Sequence, residues 1–390
     1  MEIAPDIFYV GYEDWPQREF HGFTTNRGVT YNSYLILDDQ PVLMDTVKEP
    51  FFDQMIENIE QHISIEKLQY VVVNHAEPDH AGSIAKLMKK APHITILCNA
   101  KCKEILSAYH DTQGWKFQII GLNETISIGK KTLQFIMTPM VHWPESMMTY
   151  LKEDQILFSM DAFGQHYCSS SHFDDEVDQC ELFEELKKYF ANILPLYARS
   201  ILNALEALKD IPLKMVAPSH GVIWRKGINK AVQLYQKWCN FEAEKKVLIL
   251  YDSMWGSSEK LAQAFFEGIS EEGVLVKMLP VRHTPLTDIA YEALDSACIC
   301  FGSATLNKGM MPQLSAVLTY LKGLSMQKKK TFVFGTYGWG IGAIEAIEKE
   351  VQTMGYESIM PSFKQKWSPK DTDLQECQKI GKQLALQIKK

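Results

Sequence analysis

Residues 74–80 read Asn74-His75-Ala76-Glu77-Pro78-Asp79-His80, directly after the apolar, β-branched run Leu68 to Val73. A short apolar run of that kind reads as a buried strand, so the polar stretch sits where the strand breaks into a loop. Four residues of metal-ligand type, His75, Glu77, Asp79 and His80, crowd into six positions. Two imidazoles with two carboxylates make a nitrogen-and-oxygen set that suits iron or manganese as well as zinc. Whether that set is a site depends on what the rest of the chain brings to it.

Three further residues stand in equivalent places. His142 follows the strand-like run that ends at Met140, Asp161 closes the strand Ile156-Leu-Phe-Ser-Met160, and His220 follows Met215-Val-Ala-Pro-Ser219. Each lies just past an apolar strand, where loops gather on a rigid scaffold. A lone histidine is more often a surface or hydrogen-bonded group. Four separate strand ends that each supply a ligand type point instead to one site.

The chain has 390 residues, 46% hydrophobic and 23% charged, which suggests two globular domains. A net charge of -8 argues against a nucleic-acid partner. No apolar run approaches the roughly 20 residues that span a bilayer. The start, MEIAPDIFYVGYED, lacks the basic-then-apolar layout of a secretory signal, so a cytoplasmic protein with no membrane partner is expected. Eight cysteines (98, 102, 168, 180, 239, 298, 300 and 377) are scattered without a CxxC pair. That spacing argues against a zinc ribbon, a four-cysteine iron site or a thioredoxin-like couple.

The organisation changes near Glu242-Ala-Glu-Lys-Lys246. Before it, runs at 29–37 and 42–47 flank Asp38-Asp39-Gln40-Pro41, a hairpin signal. Helix is expected at 50–63 and 182–208, and strands at 94–97, 125–139, 155–160 and 215–217. Strand pairs first, with helices between later strands, predict an α+β sandwich for residues 1–243. Beyond the charged hinge, strands at 247–252, 274–279, 297–302, 330–335 and 357–361 alternate with helices at 257–271, 287–296, 310–324, 341–354 and 371–389. That alternation predicts a doubly wound parallel sheet, α/β in class, over residues 244–390.

Three loops at strand ends mark the second half. Ser253-Met254-Trp255-Gly256-Ser257-Ser258 opens a helix and offers backbone N–H groups and hydroxyls to an anion without any lysine. The others are Ser303-Ala304-Thr305-Leu306-Asn307-Lys308-Gly309 and Thr336-Tyr337-Gly338-Trp339-Gly340. Neither a Walker A loop nor a G-x-G-x-x-G fingerprint occurs in them. Taken singly, the first is an ordinary hydroxyl-rich helix cap. Together the three form the crevice in which an open α/β sheet binds its ligand, with aromatics to pack beside a flat ring.

His75-x-Glu77-x-Asp79-His80 with His142, Asp161 and His220 resembles the metallo-β-lactamase-like domain of the flavodiiron proteins. The hydrolases of that fold carry histidine at the third position of the run and bind zinc; Glu77 is the departure that marks the flavodiiron branch. The resemblance implies an αββα sandwich in which His75, Glu77 and His142 hold one iron and Asp79, His80 and His220 the other. Asp161 would bridge them, and His80 stands at a position that is not always a direct ligand. His21, His166 and Tyr189 are candidates to orient ligands or donate protons. The three loops resemble the FMN-binding loops of flavodoxins, so the second domain is expected to be flavodoxin-like.

In function, the resemblance implies an oxidoreductase that reduces dioxygen to water, nitric oxide to nitrous oxide, or both. It also implies a head-to-tail homodimer or homotetramer. Since the chain stops just after the last expected helix, an external electron donor such as a rubredoxin or a flavin reductase is expected. The rival reading is a zinc-dependent hydrolase of the same fold with a passenger flavodoxin domain.

Overall fold

The computed structural model describes residues 1–389. The chain forms two compact units, Met1–Tyr189 with Tyr197–Gln236, and Phe190–Leu196 with the chain from Lys237 onward.

The first unit is built on two sheets. In the seven-stranded sheet the order is Glu2–Ala4, Ile7–Tyr9, Tyr34–Ile36, Val42–Met44, Tyr70–Val72, Thr95–Cys98 and Lys116–Ile119. Its first four strands pair antiparallel and the remainder parallel. The expected hairpin is present, with Ile36 opposite Val42. Asp38 fixes its turn by accepting the backbone N–H groups of Asp39, Lys130 and Lys131. Parallel pairing needs crossovers, and the helices Phe52–Glu60, Ile84–Lys90 and Ala100–Tyr109 supply them.

The second sheet runs Thr125–Ser127, Thr132–Met137, Met147–Leu151, Ile156–Met160 and Met215–Pro218. Ile36, Met44, Val72 and Leu97 from the first sheet meet Leu133, Phe135, Met147 and Phe158 from the second in a shared core. Met55, Ile59, Ile84, Leu87 and Leu106 cover the outer face of the first sheet with helix. The helices Ala198–Leu208 and Ile228–Cys239 supply the second helical layer, which completes the expected αββα sandwich.

Local departures from the sequence reading have simple causes. The expected helix over 182–208 is two helices, Gln179–Ile193 and Ala198–Leu208, because Pro195 cannot continue the first. The expected strand over 125–139 is a hairpin that turns at Gly129, whose φ of 136° favours glycine.

In the second unit the strand order is Leu275–Pro280, Glu244–Asp252, Ser296–Ala304 and Lys330–Tyr337, followed by two short pieces, Glu357–Ser358 and Phe363–Lys366. Every pairing is parallel. The expected strand at 357–361 is shortened to Glu357–Ser358, and beyond Pro361, whose missing N–H interrupts the ladder, Phe363–Lys366 pairs with Lys330–Tyr337 outside the expected range. The order doubles back around the central strand Glu244–Asp252, and the loops after the strands there open a crevice. At the other end of that strand Lys246 is buried, its charge matched by Glu292 at 2.6 Å and Asp295 at 2.7 Å.

Candidate functional site

Each expected ligand sits where a strand of the sandwich has just ended. His75 follows Tyr70–Val72, Asp161 directly follows Ile156–Met160, and His220 follows Met215–Pro218. His142 lies in the loop between Thr132–Met137 and Met147–Leu151. Glu77 precedes the short helix Pro78–Ala81, which Pro78 starts and which carries Asp79 and His80.

These seven side chains fall into two groups that meet at Asp161. In one, Glu77 Oε2 lies 3.1 Å from both His75 Nε2 and His142 Nε2. Asp161 Oδ2 faces the same group, 3.0 Å from His142 and 3.6 Å from His75. In the other, Asp79 Oδ2 lies 3.2 Å from both His80 Nε2 and His220 Nε2. Asp161 Oδ1 faces that group, 3.2 Å from His80 and 3.8 Å from His220. One carboxylate therefore offers one oxygen to each cluster of possible ligands.

The donor set suits cations. Asp79 Oδ1 is buried without a hydrogen-bond partner among the described residues, a costly state that a metal would relieve. Burial alone would drive these imidazoles neutral, yet hydrogen bonds to Glu145 and Glu77 hold His75 well above its ordinary pKa. Against the same burial, the neighbouring acids lift His80 and His142 to about 9. Burial would raise Glu77 and Asp161, but the facing histidines hold both well below the usual carboxylate range. Every shift has one meaning: the pocket stabilises positive charge.

Neighbouring groups orient these side chains. Glu145 Oε1 accepts the Ala76 N–H at 2.9 Å and lies 2.7 Å from His75 Nδ1, which leaves Nε2 to face inward. His220 Nδ1 lies 2.5 Å from the Thr30 carbonyl, which selects its Nε2 in the same way. Ser219 donates to Asp161 Oδ1 at 2.5 Å. Of the other candidates, His21 is 3.6 Å from Glu77 Oε1 and 46% exposed, so it stands at the mouth of the site. His166 and Tyr189 are buried, with rings 5.5 and 6.0 Å from that of His220. Burial, with the His220 imidazole close by, holds His166 well below its ordinary pKa.

In the second unit the three expected loops share one end of the sheet. Gly256 adopts a φ of 78° just ahead of the helix that Ser257 begins. Ser258 Oγ lies 2.9 Å from Thr336 Oγ1, which joins the first loop to the third. Thr305 N–H donates to the Thr336 carbonyl at 2.9 Å, which joins the second. Ser303 and Ala304 end their strand, and Leu306 and Gly309 close a tight turn with Asn307 at φ 47°. Ser253 Oγ is buried without a partner among the described residues, as a ligand-facing hydroxyl would be. Trp255 is 89% exposed and Trp339 93%, while Met254, Gly338 and Gly340 line the open loops. Such exposure is unusual for tryptophan and suits loops against which a ligand packs. A Cβ built on Gly256 or Gly340 would meet nothing within 4 Å, which leaves space beside the backbone.

Known proteins agree with both halves. The model of the ODP family beta lactamases matches residues 29–221, and that of flavodoxins residues 249–381. A nitric oxide reductase of Moorella thermoacetica is 39% identical, over 100% of this chain and 98% of its own. The flavodiiron protein from Giardia intestinalis has a TM-score of 0.97 at 35% identity, over 99% of this chain and 96% of its own. The chain belongs to the flavodiiron protein family. The rubredoxin oxygen:oxidoreductase of Desulfovibrio gigas is also similar, with a TM-score of 0.97 and 32% identity over 100% of this chain and 98% of its own.

Two residues of this flavodiiron protein escape the sequence reading. Trp367 follows the strand Phe363–Lys366 as a fourth loop at the crevice, its ring 6.1 Å from that of Trp339. Glu145 is the other, and it carries a prediction. Glu145→Gln exchanges a charged acceptor for a neutral amide oxygen beside an NH2 donor, so the tautomer of His75 is held less firmly. Metal affinity is expected to fall by ~10–100-fold, read from iron retained against a graded chelator, while flavin content stays unchanged.

Proposed function

We propose that this flavodiiron protein reduces dioxygen to water, nitric oxide to nitrous oxide, or both, as a cytoplasmic enzyme. His75, Glu77 and His142 would hold one iron and Asp79, His80 and His220 the other, with Asp161 between them. The crevice of the second unit would hold FMN, its phosphate at the start of the helix Ser257–Glu271 and its ring near Trp255 and Trp339. When bound, FMN supplies electrons singly or in pairs, and two irons with open positions supply a place to reduce a diatomic gas.

The single observation that carries this reading is Asp161, which turns one oxygen to each group of ligands. Glu77 adds weight, because it stands where the zinc hydrolases of the fold carry histidine and gives the site a further hard oxygen ligand. The remaining residues set the conditions. Glu145 and the Thr30 carbonyl fix which imidazole nitrogen faces the centre. Trp143, whose ring packs edge-on 5.1 Å from that of His75, shields that imidazole on one side. Half-exposed His21, beside Glu77, is placed to pass a proton between solvent and the pocket.

A rubredoxin or flavin reductase as donor, and a head-to-tail homodimer or homotetramer, belong to the same proposal. Similarity to the rubredoxin oxygen:oxidoreductase of Desulfovibrio gigas supports a rubredoxin. The test is anaerobic turnover with each gas and a chemically reduced donor, after iron and flavin have been quantified. Consumption of at least one gas in proportion to iron content supports the proposal. Protein that holds two zincs, no iron, and turns over neither gas returns the zinc hydrolase.

A further inference from the structure

The helix Gln179–Ile193 carries Glu181, Glu185 and Tyr189 at four-residue intervals, so the three share one face with roughly 5–6 Å between successive positions. That face runs inward. The Glu181 side chain is 41% exposed, that of Glu185 is 9%, and Tyr189 is 3% exposed. At the inner end the Tyr189 ring lies 4.9 Å from that of His166 and 6.0 Å from that of the ligand His220. At the outer end one guanidinium serves two acids, with Arg27 Nη1 2.8 Å from Glu181 and Nε 3.3 Å from Glu185. Tyr167 donates to Glu181 at 3.4 Å, and the Cys168 N–H donates to the Arg27 carbonyl at 2.9 Å. Arg27 is thereby tied to the segment that carries His166.

A buried acid next to a shared cation is poorly explained as an ion pair alone. Arg27 and Lys188 both favour the ionised form of Glu185, yet burial outweighs them and leaves this acid easy to protonate. Both proposed reductions consume protons, and the metal pocket needs a supply that does not flood it with water.

Resting on the reading of the chain as a gas reductase, we propose that Glu185 loads protons into the metal pocket. Its carboxylic acid releases a proton inward along the Tyr189 face, and the carboxylate left behind is reprotonated by water reached at Glu181 and Arg27. No group is oxidised or reduced in this step. Glu185 acts through Tyr189 and His166 rather than on the reacting atoms, so it is a positioning residue for the proton. The charged and titratable groups facing it are Arg27 from the N-terminal segment, Glu181, Glu184 and Lys188 from its own helix, and Tyr189 toward the site. Burial, offset in part by Lys188 and Arg27, raises Glu185 to about 7. The acid is therefore half loaded near neutral pH, and its proton is lost as pH rises through that value.

Glu185→Gln keeps a hydrogen-bonding group for Arg27 but cannot release a proton. The test compares the parent, Glu185→Gln and Glu185→Asp for iron and FMN content, for flavin reduction by dithionite, and for gas turnover across neutral pH. In Glu185→Gln the iron, the flavin and the flavin reduction rate are expected to match the parent. Turnover should fall by ~10²-fold, the scale of a lost proton-transfer group, and the parent's alkaline decline near pH 7 should vanish. Glu185→Asp should recover most of the turnover with a displaced decline. Parent-like rate and pH profile in Glu185→Gln would overturn the proposal. Loss of iron or early melting in both variants would also overturn it, since it would assign Glu185 to the fold. A parent that turns over neither gas would sink the functional reading itself, together with this role.

Discussion

Asp161→Asn is expected to empty the metal centre while leaving the flavin in place. Asparagine keeps the size of the side chain and one carbonyl oxygen, and Ser219, 2.5 Å from Asp161 Oδ1, can still donate to that oxygen. Its second atom becomes an NH2 group, a donor turned toward one cluster of ligands where an anionic acceptor had been. Both clusters lose the charge they share. Iron should drop from two atoms per chain to fewer than one. Turnover should fall by ~10³-fold or more, beyond the ~10–100-fold that losing an outer partner such as Glu145 costs. Metal analysis beside a thermal melt checks this. Two irons retained at parent affinity would remove Asp161 from the bridging role.

Gly256→Val is the complementary experiment. At φ 78° a β-branched residue is strained by ~1–2 kcal/mol, and its side chain would enter the space where the phosphate must meet the helix start. Flavin absorbance per chain is expected to fall to a small fraction of the parent's, with iron unchanged and turnover lost in proportion. Asp161→Asn and Gly256→Val thus predict opposite composition phenotypes, each with a loss of activity. If Gly256→Val kept a full complement of flavin, the anion site would lie elsewhere.

Much of the fold and the candidate metal site is legible in the sequence, because the seven expected ligands are polar residues at or near the ends of apolar strands. That pattern survives without knowledge of the pairing. Proline punctuation is less so: Pro195 breaks a helix that periodicity alone runs together over 182–208. Glu145 is not, since a single acid in Trp143-Pro-Glu145 has no signal until the fold brings it 2.7 Å from His75, seventy positions away. The N-terminal strands Glu2–Ala4 and Ile7–Tyr9 are too short to show a period of two. Trp367 is hidden for a different reason. Its strand is interrupted, and its loop lacks the glycines that mark the other three.

The most direct test of a metal centre fed by flavin is a single turnover. Protein carrying two irons and one FMN is reduced without oxygen, mixed with dioxygen or nitric oxide, and followed by flavin absorbance beside an iron-free sample. The iron-loaded protein is expected to reoxidise its flavin far faster than the iron-free one with at least one gas, with nitrous oxide formed if that gas is nitric oxide. Equal reoxidation with and without iron, for both gases, would contradict that role for the metal.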